Sequence, residues 1–117
     1  WSTPDDMLIW LGHAMGNLHS DNNVDAALQK TMVCRAPWGN NSKCTSVEKC
    51  GRCTGLAWTE DIDECTGGVR ISKSGAVPGF KSWIGFDQQT GRGVFVLFNS
   101  GALDGTPVGE ELLAIIP

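Results

Sequence analysis

Between Val69 and Phe98, three runs of strand-forming residues are separated by turn residues, a pattern that predicts three consecutive strands. A first strand begins at Val69 and ends at the Pro78-Gly79 turn, a second spans 80–87, and a third spans 93–98 after a Gln-Gln-Thr-Gly turn. Every residue of the third strand after its glycine is apolar, so this strand should be covered on both faces. We therefore expect an antiparallel sheet of at least three strands with helices above and below it.

Helix-start signals predict three helices outside these strands. The stretch Ser2-Thr3-Pro4-Asp5-Asp6 combines a capping hydroxyl, a proline in the first turn and two carboxylates at the positive end of the helix dipole, and it predicts a helix from about Pro4. Asp21-Asn22-Asn23 predicts the cap of a second, shorter helix, and Thr106-Pro107 predicts the start of an apolar C-terminal one. One arrangement puts the first and last helices on the same face. The expected fold class is α+β, an antiparallel sheet flanked by N- and C-terminal helices.

Length, composition and charge narrow the class of protein. The chain has 117 residues, of which 41% are hydrophobic and 19% charged, as in one ordinary globular domain or a piece of one. A net charge of -4 gives no electrostatic footprint for nucleic acid, and no apolar run is long enough to span a bilayer. Because the chain starts without Met and ends on an apolar Ala-Ile-Ile-Pro, we expect a fragment or a processed chain covering 1–117.

All five cysteines fall in one stretch, at about 34–65, that we interpret as an irregular Cys-rich insertion. They are Cys34, Cys44, Cys50, Cys53 and Cys65. A loop poor in apolar residues needs cross-links if it is to be ordered, which favours disulfides and an exported, periplasmic or secreted protein. The Cys50-x-x-Cys53 spacing could instead hold zinc, although no second pair of this kind exists, and the odd count leaves free thiols as a third reading.

Two local patterns inside this insertion suggest more regular structure. Gly55-Leu56-Ala57-Trp58-Thr59 predicts a short strand. The acidic residues at 60–64 that follow it predict a turn.

Histidine and tryptophan side chains do not indicate a ligand site. His13 and His19 are six residues apart, a spacing that does not put two side chains on one helix face, so we interpret them as surface residues. Trp38, Trp58 and Trp83 could form a platform for a ligand, but packing in the core is the favoured reading.

The central strands resemble a known family. Lys73-Ser74-Gly75 is followed by A-V-P-G-F, then S-W-I-G-F-D, a turn and R-G-V-F-V-L-F-N-S, and this order resembles the last third of the class C β-lactamase family. That family includes serine β-lactamases, penicillin-recognising D-alanyl-D-alanine peptidases and related esterases. The first helix and the Gly55 to Trp58 stretch also resemble segments of the family, so the likeness covers most of the chain outside the cysteine region.

The resemblance implies acyl transfer to a serine, with a β-lactam or a D-alanyl peptide as substrate and with no cofactor or metal. Lys73 would hold positive charge near the substrate carboxylate, and Ser74 would offer its hydroxyl to that carboxylate. Gly75 would keep the strand bare so that substrate can lie against it. The backbone N–H of Ala76 would form half of the oxyanion hole.

The sequence departs from the family pattern at the nucleophile. It contains no tyrosine, so the family's Y-x-N element is absent, and its S-x-x-K match, which starts at Ser46, lies among cysteines and is interpreted as coincidence. We therefore expect a C-terminal piece of a longer hydrolase, inactive alone, whose N-terminal part supplies the serine. The alternative is a non-catalytic binding module, stapled by disulfides or holding zinc, on a β-lactamase-like sheet.

Overall fold

The computed structural model describes residues 2–37, 46–47, 51–62 and 67–117. Within these ranges the chain forms helices and an antiparallel sheet. The helices are α1 (Pro4–Ala14), α2 (Asn22–Met32) and α3 (Gly105–Ile115). The strands are β1 (Ala36–Pro37), β2 (Arg52–Thr54), β3 (Thr59–Ile62), β4 (Val69–Val77), β5 (Phe80–Asp87) and β6 (Arg92–Phe98). The predicted α+β class is confirmed.

The sheet is a meander in which each strand pairs with the next along the chain, in the order β1 to β6. Strands β4 and β5 form a hairpin closed by Pro78-Gly79, with Val77 paired to Phe80. Gly79 has a φ of +83°, which a proline-glycine turn requires at its second central residue. The pattern of residues therefore predicted the three long strands and this turn correctly. Strand β6, however, lies at the edge of the sheet and is only half-buried, with Leu97 exposed, so the expectation that both its faces are covered is wrong for that side chain.

A carboxylate or hydroxyl side chain caps the N-terminus of each of these helices. The Thr3 hydroxyl accepts a hydrogen bond from the Asp6 N–H at 3.2 Å, and the Asp6 carboxylate accepts one from the Thr3 N–H at 3.0 Å. Asp21 caps α2 in a similar way. Helix α3 begins at Gly105 and is capped by Asp104, not by Thr106 as we expected.

The first and last helices pack on opposite faces of the sheet. Helices α1 and α2 contribute to a core with Ile84 and Phe86 of β5, whereas α3 packs against Trp83 of the same strand. Neighbouring residues of a strand point to opposite faces, so Trp83 and Ile84 mark two different faces. A shared face for the two terminal helices is therefore wrong, and the expectation of helices above and below the sheet is confirmed.

The region 51–62 is more regular than we predicted. The expected strand at 55–59 is wrong, because Gly55 to Trp58 form a turn between β2 and β3. The turn is closed by a hydrogen bond from the Gly55 N–H to the Trp58 carbonyl, 2.9 Å. The expected acidic turn at 60–64 is also wrong over its first three residues: Glu60 and Asp61 are buried in β3.

Cys34 and Cys53 form a disulfide, with their Cα atoms 5.6 Å apart. The bond ties the chain just after α2 to the buried centre of β2. The prediction of at least one disulfide in the Cys-rich stretch is confirmed, and neither of these sulfurs is available as the thiolate that zinc needs. Cys44, Cys50 and Cys65 lie outside the described residues, as does Trp38.

Candidate functional site

The Lys73-Ser74-Gly75 half of β4 lies at an open edge of the sheet. Strand β3 pairs with β4 only as far as Thr59 opposite Ser72. On the other side, β5 accompanies β4 all the way to Val77. In the part of the chain that the structure describes, no strand continues beside 73–77 on the β3 side.

Register shows which backbone groups face this open edge. Val77 and Phe80 flank a two-residue turn, so they exchange hydrogen bonds across the hairpin, and in an antiparallel ladder every second residue does the same. Gly75 and Lys73 therefore bond to β5. Ser74 and Ala76, between them, direct their N–H and C=O groups away from β5 and into the open edge.

The side chains at this edge are accessible to solvent. Lys73, Ser74, Gly75 and Ala76 are all exposed. The Lys73 ammonium donates a hydrogen bond to the Ser74 carbonyl, which is one of the groups that face the edge. A Cβ on Gly75 would lie 2.6 Å from the Ser82 hydroxyl oxygen, so a larger residue there would require the Ser82 side chain to rotate. The four predicted site residues, which are consecutive in the chain, all lie at this edge.

A pocket of about 360 Å³ adjoins this edge at its β3 end, and we call it the Arg52 pocket. Its walls come from β2, β3 and the turn between them, from β4 and β5, and from α3. The lining residues are Arg52, Thr54, Ala57, Trp58, Thr59, Ser72, Lys73, Ser74, Trp83, Thr106 and Glu110. Its size falls in the range of small-molecule sites, and its lining combines two aromatic rings with five hydroxyls.

A second pocket of about 430 Å³, the Lys81 pocket, adjoins the hairpin end of the same edge. It is lined by Lys73, Ser74, Gly75, Ala76, Lys81, Asp104 and Thr106. The pKa of Asp104 is lowered by the hydrogen bonds from the backbone and side chain of Thr106, which outweigh desolvation, and by the nearby charge of Lys81. This pocket therefore presents one carboxylate and two ammonium groups.

An ion-pair network fixes the elements around the Arg52 pocket. Asp61 of β3 lies 3.2 Å from the Arg52 guanidinium and 2.6 Å from that of Arg70, and Arg70 also lies 2.9 Å from Glu110 of α3. The Asp61 side chain is only 7% exposed. Because one buried carboxylate holds two strands and, through Arg70, a helix, these elements have little freedom to move apart.

Most of the residues that line the two pockets were not predicted from the sequence. No sequence motif marks Arg52, Asp104 or Glu110. The register of the strands and the packing of α3 bring them to the site. Trp58 stacks on Trp10, with ring centroids 5.4 Å apart, and its indole N–H donates to the Thr31 hydroxyl at 3.1 Å. Packing is therefore the correct reading for Trp58, although one side of it also lines a pocket.

The other candidate residues lie elsewhere. Ser46 is not among the residues that line either pocket, and Val47 beside it is buried. His13 and His19 both approach Asp25, at 3.9 and 3.5 Å, because His19 lies beyond the end of α1 and the chain folds back. Within the described ranges, no group of three or more His, Cys, Asp or Glu residues is arranged to hold a metal ion, and no helix is long and apolar enough to cross a membrane.

The fold is similar to that of a solved class C β-lactamase from Rhodobacter sphaeroides. The TM-score is 0.75 at 19% sequence identity, and the match covers 97% of this chain and 37% of the other. The chain thus spans about a third of the length of that enzyme. No family model and no curated protein matches the sequence. The likeness establishes a partial β-lactamase-like fold.

Proposed function

We propose that this chain supplies one wall of a serine acyl-transfer site of the β-lactamase or D-alanyl-D-alanine peptidase type. The observation that carries the proposal is the open edge at Ser74 and Ala76. Their backbone groups point out of the sheet beside the Lys73 ammonium, in a fold similar to that of a class C β-lactamase.

Each group at this edge has a chemical role in such a site. The Ala76 N–H points to where the carbonyl oxygen of an acyl substrate would develop negative charge, as half of an oxyanion hole. Lys73 places a positive charge beside the substrate carboxylate, and Ser74 offers a hydroxyl to the same carboxylate. Gly75 leaves the strand without a side chain, so that substrate can approach the backbone.

The nucleophile comes from polypeptide outside residues 1–117. The sequence has no tyrosine, and Ser46, which begins its S-x-x-K match, lines neither pocket at the Lys73 edge. Attack on an amide or ester needs a serine with a base beside it, which the edge residues do not offer. The Cys34–Cys53 disulfide favours a periplasmic or secreted location for the whole protein.

The second candidate is a disulfide-stapled binding module that uses the same edge without chemistry. It is favoured by the presence of two formed pockets and an open strand edge in a chain that lacks a nucleophile. In this case, peptide would bind by strand addition and leave unchanged.

The open reading frame that encodes the chain decides between the two. Its product should be incubated with a labelled penicillin and the intact mass measured, for the parent and for Lys73→Ala. A stable adduct on a serine of an S-x-x-K element, formed much more slowly in the variant, supports the enzyme. A reading frame without S-x-x-K and Y-x-N elements, or a product that neither forms an adduct nor hydrolyses the penicillin, rejects it and leaves the binding module.

A further inference from the structure

Another pocket, of about 410 Å³, lies at the start of β4, away from the Lys73 edge, and we call it the Glu60 pocket. Its floor is formed by Glu60 of β3 with Val69 and Ile71 of β4, and its walls by the C-terminal end of α2 and the β5–β6 turn. None of its described lining residues lines the Arg52 pocket or the Lys81 pocket. The pocket is large enough for a small molecule, and the proposed acyl-transfer site does not use it.

Glu60 places a carboxylate in largely apolar surroundings. The residue lies opposite Ile71 in the register and is only 9% exposed. Met32, Val69 and Ile71 line the pocket with it. Among the lining residues that the structure describes, Glu60 is the one with a charged side chain. Because water and salt screen a buried charge less than an exposed one, this carboxylate favours a cation that enters the pocket.

The C-terminal end of α2 adds to this negative potential. Met32 and Val33, at this end, line the pocket. The last carbonyl groups of a helix carry a partial negative charge, equivalent to about half an elementary charge, and attract cations. The end of α2 already binds one cation, because the Arg35 guanidinium donates to the Lys30 carbonyl at 3.1 Å. The helix end and Glu60 therefore favour the same sign of ligand charge.

Carboxamide side chains supply acceptors for the N–H donors of such a ligand. Gln29 of α2 and Gln88 and Gln89 of the β5–β6 turn line the pocket. The Gln88 side-chain N–H donates to the Gln29 Oε1 at 3.1 Å, which joins the turn to the helix. Asp87 holds the turn, because its carboxylate accepts from the Gln89 N–H at 2.7 Å. Amide oxygens accept from an ammonium group, whereas a quaternary ammonium group has no N–H to donate and is bound by aromatic rings.

We propose that the Glu60 pocket binds a primary alkylammonium group. The Glu60 carboxylate is its counter-ion, the glutamine side chains accept its remaining N–H groups, and Val69 and Ile71 pack against its alkyl chain. Both a free alkylamine and a lysine side chain carry this group, since lysine is an ammonium on a four-carbon stem. The site shares no described residue with the acyl-transfer site and does not depend on that function.

The test titrates n-butylammonium chloride and n-butanol separately, to millimolar concentration and at constant ionic strength, into the ¹⁵N-labelled 117-residue chain. We expect saturable amide shifts at Val69, Ile71 and Gln88, with butylammonium bound about tenfold more tightly than butanol. Glu60→Gln should abolish this preference. The matched control is Glu111→Gln, which removes an exposed carboxylate from α3 and should keep the preference.

A second variant keeps the test decisive if Glu60→Gln loses its dispersed amide spectrum. Val33 is 56% exposed, so Val33→Lys should fold, and its ammonium at the mouth of the pocket should weaken butylammonium binding about tenfold while sparing butanol. Unchanged affinity in Val33→Lys overturns the site. Equal affinity of the parent for both probes overturns the counter-ion role of Glu60, and the absence of shifts at Val69 and Ile71 overturns the pocket.

Nα-acetyl-lysine methylamide distinguishes the two sources of the ammonium group. If it binds at least as tightly as butylammonium and shifts the same amides, the ligand is a lysine side chain of a peptide or protein. If it binds more weakly than butylammonium, the ligand is a free amine. Absence of the penicillin adduct in the complete reading frame leaves this inference untouched, so the two proposals can fail independently.

Discussion

Gly109 of α3 lies flat against the ring of Trp83: a Cβ on Gly109 would be 2.1 Å from the indole Cε3. This close approach brings the helix down onto β5 and places Thr106 and Glu110 beside Ser72 and the Arg52 pocket. The glycine therefore links the packing of the last helix to the shape of the candidate site.

Replacing Gly109 by alanine should destabilise the protein. Alanine normally stabilises a helix interior by up to about 1 kcal/mol relative to glycine. Here its methyl group would clash with a buried ring, and overpacking of this kind costs about 1–3 kcal/mol. We expect the free energy of unfolding in urea to fall by about 1–2 kcal/mol. The control is Gly101→Ala, where a Cβ would find its nearest atom at 3.4 Å. A Gly109→Ala variant as stable as its parent would contradict the helix placement.

Proline at Ala76 should remove the N–H that we propose as an oxyanion donor without breaking the sheet. The Ala76 N–H faces the open edge, and proline is tolerated where the N–H of an edge strand faces solvent. We expect the urea midpoint of Ala76→Pro to stay near that of the parent. In the product of the complete reading frame, the rate of penicillin acylation should fall by about 10² to 10³.

Gly75→Pro is the matched contrast for this experiment. The Gly75 N–H bonds to β5, so proline there removes a ladder hydrogen bond and should lower the urea midpoint. If Ala76→Pro destabilised the chain as much as Gly75→Pro, the assignment of which groups face the edge would be wrong.

Reducing the disulfide should lower stability more than it alters the long strands. Cys34 and Cys53 are 19 residues apart, and closing a loop of that length contributes about 3 kcal/mol through the unfolded state. We expect urea unfolding with and without reductant to differ by about this amount. Alkylation without reductant, followed by peptide mapping, should leave both cysteines unmodified. Recovery of both as alkylated thiols would reject the disulfide.

Acid should weaken the junction between α1 and α2 through Asp25. Desolvation raises the pKa of this carboxylate, but hydrogen bonds from the N–H and hydroxyl of Ser20, together with His19, outweigh it, so the pKa is lowered overall. The folded state then binds fewer protons than the unfolded chain. Asp25 therefore stabilises above its ordinary pKa of about 3.9, and this contribution is lost as the pH falls through the lower folded value.

Urea midpoints measured at a series of pH values test this linkage. Asp25→Asn should be less stable than the parent at neutral pH, and its stability should fall less steeply below about pH 4. Ser20→Ala, which removes one hydrogen bond to the carboxylate, should lie between the two. If the stability of the parent and of Asp25→Asn fell equally with decreasing pH, another group would be responsible for the loss of stability in acid.

The parts of the fold that local patterns predicted are those in which local and long-range preferences agree. The β4–β5 hairpin has a proline-glycine turn between two runs of strand-forming residues, so its ends could be placed from the sequence. Strands β2 and β3 have three and four residues, and their pairing depends on register with β4 and on the disulfide. Asp61 looked like part of an acidic turn because its partner Arg70 lies on the next strand, where no local pattern reveals it.

The candidate site divides in the same way. The Lys73 to Ala76 stretch could be found because its residues are consecutive and resemble a known motif. Its pockets could not, because they combine side chains from β2, β3, β4 and α3 that are up to 58 residues apart, from Arg52 to Glu110. These side chains come together through the register of the sheet and the packing of α3 against Trp83.

The 117-residue chain alone should neither hydrolyse a β-lactam nor form an adduct with penicillin. Lys73, Ser74 and the Ala76 N–H can position and polarise a carbonyl group, but they offer no activated nucleophile. Removing the nucleophile from a serine hydrolase leaves only the small residual acceleration given by binding and oxyanion donors. Intact mass after incubation with labelled penicillin should therefore equal that of the untreated chain.

The test is strict because the chain contains an exposed serine, Ser74, that penicillin could reach. Ser74 is exposed at the edge and is therefore accessible, but the Lys73 ammonium donates to its backbone carbonyl and not to its hydroxyl. In the proposed site its hydroxyl binds the substrate carboxylate, and Ser74→Ala should leave the mass result unchanged. A stable adduct on the parent chain would mean that residues 1–117 contain their own nucleophile. Mapping that adduct to Ser74 or to Ser46 would identify which serine had been misread.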